Sequence, residues 1–286
     1  MILVADSGST KTDWGLVSSD PDCQEMSCGV ISTQGINPFH QSKEVISSIL
    51  QDELIPQLPG GVEMVDSIKF YGSGVRPELE GPMAQQLQQV FPHAAHIEAY
   101  SDLLGAARGL CGCEEGIACI LGTGANACLY DGERIVKQIP ALGYILGDEG
   151  SGAVLGKRFL HALYMGVLSE KIKVLFERQT GLSLATVIDR VYRQPLANRF
   201  LASLSVFIHD HLDDADLRAL VITSFTDFFR FHVKPYGRCD LPVSFVGSVA
   251  WHYQTELRVA AESQGFVVGE VMKSPLTGLL CYHRSR

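Results

Sequence analysis

The chain has 286 residues, 46% of them hydrophobic, which suits two buried cores better than one and excludes a disordered or fibrous protein. Its 32 acidic and 23 basic side chains give a formal charge of -9 with no long run of either sign, and a surface that tracks nucleic acid needs clustered bases. A phosphorylated ligand held by backbone amides and a divalent ion stays open.

The first residues, Met1-Ile-Leu-Val-Ala-Asp6, carry no basic leader and turn polar quickly, so they read as a strand and not a signal peptide. No stretch approaches the roughly 20 apolar residues of a membrane helix, and a soluble cytoplasmic protein is expected. Residues 2–5 and 13–18 read as strands joined by Asp6-Ser-Gly-Ser-Thr-Lys-Thr12, a hairpin with a specialised turn. A strand at 68–71 meets Gly72-Ser-Gly74, and a helix follows over 82–90. A further strand at 95–100 delivers Ser101-Asp102 to a helix over 103–108, with Ser101 as its N-cap.

The second half repeats the theme. A strand at 116–121 runs into Gly122-Thr-Gly-Ala-Asn126 and out through 127–130. After Gly147-Asp-Glu-Gly-Ser-Gly152, an apolar pattern over 153–168 predicts an amphipathic helix with Ser151 near its cap. Helical patterns dominate 170–234, including 199–209 and 217–233. A strand at 242–246 enters Gly247-Ser248, and a helix, a strand at 266–272 and a short helix close the chain. Hairpins mixed with β-α crossovers point to α/β domains with mixed sheets, and the recurrence of a hairpin around a small-residue turn points to a duplicated architecture. The boundary is expected near residue 103, giving domains 1–103 and 104–274 with 275–286 returning to the first.

Small residues at Ser7, Gly8 and Ser9 let backbone N–H groups face a phosphate, which Thr10 and Lys11 could also reach. Asp6 suits Mg²⁺ or its water shell, since magnesium binds through one or two carboxylates and retained waters. An ordinary polar hairpin loop is the alternative. Gly122, Thr123 and Gly124 form a second such turn, and Gly247 and Ser248 a third. Three strand-to-turn devices in two similar halves fit a gripped nucleotide better than chance. A Walker-type loop is absent, and Gly150-Ser-Gly152 with Gly156 lacks the dinucleotide spacing and follows an acidic pair. Asp102 reads either as a first-turn acid stabilised by the helix dipole or as a base for an attacking hydroxyl. Asp148 and Glu149 read as surface turn or ligand, and Asn37 as a turn residue or a partner for sugar hydroxyls. The scattered cysteines, including Cys23, Cys28 and Cys111-Gly-Cys113, read as reduced structural thiols.

These motifs resemble the N-acetylglucosamine kinase and BadF-type ATPase family, within the superfamily of actin, hexokinase and heat-shock chaperone ATPases. Asp6-Ser-Gly-Ser-Thr-Lys-Thr-Asp13 is similar to the family's first phosphate motif, Gly122-Thr-Gly124 to its second, and Leu142-Gly-Tyr-Ile-Leu-Gly-Asp-Glu-Gly-Ser-Gly152 to its G-W-G-x-x-L-G-D-E-G-S loop. Ser7, Ala125, Tyr144 and Ser248 depart from residues frequent there. The resemblance implies two actin-like (ribonuclease H-like) α/β domains with mixed sheets and an interdomain nucleotide cleft. It implies an ATP- and Mg²⁺-dependent kinase for an amino sugar, N-acetylglucosamine above all. Asn37, Asp102, Asn126 and Asp148 would bind sugar, Asp102 would be the base, and Gly247 and Ser248 would lie near adenosine. An ATPase that activates a reductase through an iron–sulfur cluster and a sugar-sensing regulator are the alternatives; a homodimer is left open.

Overall fold

The computed structural model describes residues 1–8, 10–18 and 29–285, so Ser9, Cys23 and Cys28 lie outside the described residues. The chain divides into two units, one made of Met1–Glu114, Asp131–Ile135 and Ser274–Arg286, the other of Glu115–Tyr130 and Val136–Lys273. A division near residue 103 would cut the helix Asp102–Cys111, which stays whole in the first unit.

In the first unit β1 (Ile2–Ser7), β2 (Lys11–Val17), β3 (Ile31–Gln34), β4 (Ser67–Gly72) and β5 (His96–Ser101) form one sheet in the order β3-β2-β1-β4-β5. The first three strands are antiparallel, and β4 and β5 join in parallel. Leu3, Val4 and Ala5 are all fully buried, because a central strand covered on both faces has no solvent side to alternate with. One face packs Leu3, Ala5, Trp14 and Phe70 with Met83 and Leu87 of the helix Pro77–Val90. That helix starts five residues before the expected position: Pro77 takes the first-turn place that suits proline, and Pro82 is carried inside. The other face packs Val4, Val17 and Tyr71 with Leu276 and Leu279 of the closing helix Leu276–Arg284. A Cβ on Gly278 would stand 2.0 Å from the Gly109 carbonyl oxygen, so the closing helix reaches the helix Asp102–Cys111 only because position 278 has no side chain.

The second unit contains, apart from the strand-end residues Asp131 and Ile135, the sheet of β6 (Glu115–Leu121), β7 (Ala125–Asp131), β8 (Ile135–Gln138), β9 (Val243–Val246) and β10 (Val268–Met272), in the order β10-β9-β6-β7-β8. From the opposite edge this is the strand order of the first unit, so the duplication suspected from recurring turns is present in the topology. The helices Gly152–Tyr164, Glu170–Thr180, Leu184–Tyr192, Ala197–Asp210 and Ala215–Phe228 are inserted between β8 and β9. They share an aromatic core that includes Phe159, Phe176, Phe207, Phe225 and Phe228. The helix expected over 153–168 stops at Tyr164, where Gly166 takes φ +73°. The pattern over 217–233 is α-helical to Phe228 and widens to a π turn over Phe229–Val233. Among the described residues no helix is long and apolar enough to cross a membrane.

Candidate active site

In the first unit Ser7, Gly72 and Ser101 stand in register at the carboxyl ends of β1, β4 and β5, the end of such a sheet where ligands generally bind. Asp6 is the penultimate residue of β1 and Asp102 opens the helix after β5. Two strand spacings, about 9.5 Å, separate β1 from β5. Ser101 Oγ accepts from Leu104 N at 3.3 Å, so the expected N-cap forms and fixes where Asp102 projects.

Both carboxylates are half-buried, and burial dominates their titration. The Asp102 carboxyl is pushed up to about 6 by desolvation, against the lowering effect of the Leu103 and Asp102 backbone N–H groups. A helix N-terminus alone would push it down, so loss of water outweighs the dipole. Asp6 is pushed up to about 7, first by desolvation; the Ser274 hydroxyl opposes this, and the charges of Asp102 and Asp13 add to it.

The β1–β2 turn divides into an outer and an inner part. Gly8, Thr10 and Lys11 are exposed, and Gly8 N bonds Lys11 O at 3.0 Å. Lys11 Nζ pairs with the buried Asp13 at 2.6 Å. Ser7, expected among the phosphate contacts, turns its side chain inward: its fully buried hydroxyl lies 2.6 Å from Thr12 Oγ1, donates to Ile36 O at 2.9 Å and accepts from Ile36 N at 3.0 Å. Its oxygen ties the hairpin to the segment carrying Asn37, so the side chain of position 7 serves the turn's own structure. In that segment Asn37 Oδ1 accepts from Phe39 N at 3.0 Å, and Gln41 Oε1 accepts from Asn37 N at 2.7 Å. Position 74 must stay glycine, since a Cβ there would meet Asn37 Oδ1 at 2.2 Å.

In the second unit, three residues join the adjacent strands β6 and β7, a link short enough only for a hairpin. Gly122 O and Thr123 O accept from Gly152 N and Ala153 N at 2.8 and 3.2 Å, which seats the turn on the start of the helix Gly152–Tyr164. Ser151 caps that helix through Val154 N at 3.2 Å. Asp148 is buried and held at φ +57°, a left-handed conformation that Asp tolerates better than most residues. Burial pushes its carboxyl up, while His232 and the backbone N–H groups of Ala125 and Gly143 act downward and Glu149 upward. Its Oδ2 would touch a Cβ at position 124 at 3.0 Å, so Asp148 and the Gly122-Thr-Gly124 turn are immediate neighbours. Asn126 Oδ1 accepts from Ala127 N at 3.0 Å and from Gln138 Nε2 at 3.2 Å. Gly247, at φ +120°, lies against the end of β6: a Cβ would stand 2.2 Å from Leu121 O. Ser248, exposed, opens the following helix.

Thus Asp6, the turn and Asp102 gather at one sheet end, Asn37 is tied to that turn through Ile36, and Asp148 and Gly247 both adjoin the β6–β7 turn or the strand leading into it. Sequence reasoning missed Ser274 and His232, which reach these residues from distant segments without a local motif, and Gln41, which closes on Asn37 from four residues along the chain.

No family model matches the chain, and no curated protein does. Among solved structures, the putative N-acetylglucosamine kinase of Porphyromonas gingivalis is 45% identical over 100% of this chain and 99% of its own, with a TM-score of 0.94. A putative N-acetylglucosamine kinase of Chromobacterium violaceum is 19% identical over 99% of this chain and 98% of its own, at a TM-score of 0.72. A ROK family glucokinase of Streptomyces griseus, solved with glucose and AMPPNP, is 11% identical over 99% and 98%, at 0.55. The last two likenesses concern the fold.

Proposed function

This chain belongs to the N-acetylglucosamine kinase family, within the actin-like ATPase fold, and on that premise we propose that it transfers the ATP γ-phosphoryl group to a hydroxyl of an amino sugar. N-acetylglucosamine is the first candidate and its 6-OH the acceptor. The observation that carries this reading is Asp102: a carboxylate at the end of a parallel strand, pushed up to about 6 by burial. It stays mostly ionised at neutral pH, yet is a stronger base than an exposed aspartate, which is the tuning a proton acceptor needs.

Asp6 would hold Mg²⁺, directly or through water. It fits a cation because burial and two neighbouring carboxylates have raised its proton affinity, and a divalent ion would compensate that charge in place of the proton. The ion would supply charge neutralisation at the phosphate oxygens. In the first unit the β1–β2 turn that begins at Ser7 and Gly8 would hold phosphates through its exposed residues Thr10 and Lys11; Ser9 is assigned the same role from sequence alone. In the second unit Gly122, Thr123 and Gly124 would hold phosphates, and Gly247 and Ser248 would lie by the nucleoside. Asn37, Asn126 and Asp148 would bind sugar hydroxyls. Asp102 would orient the acceptor hydroxyl and take its proton as the oxygen attacks phosphorus, so most of the rate would come from positioning and electrostatics.

The test is release of ADP from Mg-ATP with glucose, glucosamine, N-acetylglucosamine and N-acetylmannosamine in parallel. Turnover highest on N-acetylglucosamine is expected. ATP hydrolysis independent of every sugar would overturn the reading.

A further inference from the structure

We propose that His232, 83 residues from the acidic turn in sequence, is a positioning residue that fixes Glu149 and, through it, the Asp148 carboxylate. The proposal rests on the sugar-kinase reading for its catalytic consequence and on geometry for its structural one.

His232 is buried, and its Nε2 lies 2.8 Å from Glu149 Oε2. A carboxylate only accepts, so Nε2 carries the proton and donates. The ring stacks on Phe228 at 5.2 Å with planes 23° apart, which limits its rotation. His232 does not leave an ordinary helix: it sits in the π turn Phe229–Val233 that extends the helix Ala215–Phe228. Such a turn changes where successive side chains point, and π turns recur at functional sites.

The acidic turn is held on its other sides as well. Gly150, at φ +79°, is pressed so closely on the same helix that a Cβ would meet Phe228 Cβ at 3.0 Å. The backbone N–H groups of Ala125 and Gly143 act on the Asp148 carboxylate, lowering its pKa against burial, and Ser151 N returns to Asp148 O at 3.0 Å. These contacts come from backbone or close packing, whereas among the described residues the side-chain bond to Glu149 is made by the imidazole. Because Asp148 stands at φ +57°, a conformation a non-glycine residue keeps only when its surroundings impose it, releasing Glu149 lets the peptide between them relax and swings the Asp148 carboxylate.

The experiment compares wild type, His232→Leu and His232→Gln, which retains a donor near the Nε2 position. Hydrogen exchange of the peptide covering residues 143–151 is measured without ligand, followed by steady-state kinetics. In His232→Leu the Gly147 and Ser151 amides should exchange about tenfold faster or more, the scale of losing a hydrogen bond to a charged group; the sugar KM should rise by a similar factor and the ATP KM should stay within about twofold, while His232→Gln recovers most of both effects. Unchanged exchange in a folded His232→Leu protein overturns the proposal whether or not the enzyme phosphorylates sugar. Equal rises in both KM values, or no recovery with His232→Gln, also overturn it. If wild type shows no sugar-dependent turnover, the kinase reading fails, and the exchange comparison still decides the role of His232.

Discussion

Ser274 Oγ donates to Asp6 Oδ2 at 3.1 Å, joining the first strand to the segment that leads into the last helix, 268 positions away. The bond favours the ionised carboxylate and opposes the larger effect of burial. Ser274→Ala should therefore raise the Asp6 pKa above about 7, and carboxyl carbon NMR through a pH titration should detect the shift. A lower pKa in the variant would refute this account of the pair.

Asp6→Asn should stabilise the ligand-free protein at pH 8. The folded carboxyl is raised from its ordinary 3.8 to about 7, so between those pH values the folded state holds a proton that the unfolded state has lost. Stability contributed by this group therefore falls as pH rises from about 4 to about 7 and is flat above. The shift bounds the effect at roughly 4 kcal/mol. Urea denaturation should show the variant ahead of wild type at pH 8 and level with it near pH 4, with Mg-ATP turnover lost.

Asp102→Asn should fold and bind nucleotide while kcat falls by about 10²–10⁴-fold, the usual worth of a general base. In wild type, kcat/KM for sugar should decline as pH drops through about 6, where Asp102 takes up its proton. A folded variant retaining a tenth of wild-type kcat would remove Asp102 from that role.

Asn37→Asp separates turn from ligand. Its remaining oxygen can still accept from Phe39 N, as Asn37 Oδ1 does at 3.0 Å, whereas the amide donor is lost. The sugar KM should rise by about threefold to tenfold, the scale of one hydrogen bond, with thermal stability and the ATP KM nearly unchanged. A drop in Tm without a change in sugar KM would make Asn37 a turn residue only.

Gly247→Ala should be among the more damaging glycine substitutions, because a Cβ would stand 2.2 Å from Leu121 O at φ +120°. Destabilisation above roughly 2 kcal/mol is expected in chemical denaturation. Gly181→Ala, at φ +67° with nothing within 4 Å, should cost about 1–2 kcal/mol, the penalty of the left-handed backbone alone. Equal effects would show that the close approach of Gly247 to β6 contributes nothing.

By itself the sequence determined what depends on neighbours along the chain. Short apolar runs meeting small-residue turns marked the strands, Ser101 and Ser151 marked helix starts because an N-cap is a contact over three residues, and the recurring turns foretold two equivalent sheets. The acidic residues beside those turns were legible for the same reason. Only the tertiary structure decided what depends on packing across sequence. It turned the Ser7 hydroxyl inward onto Ile36, although its neighbours Gly8 and Thr10 stay exposed. It brought Ser274 to Asp6 and His232 to Glu149, and it raised the proton affinity of Asp102 by removing water from around it. A local motif states which carboxylate stands at a strand end; the desolvation that sets its proton affinity is a sum over atoms brought in from the rest of the fold.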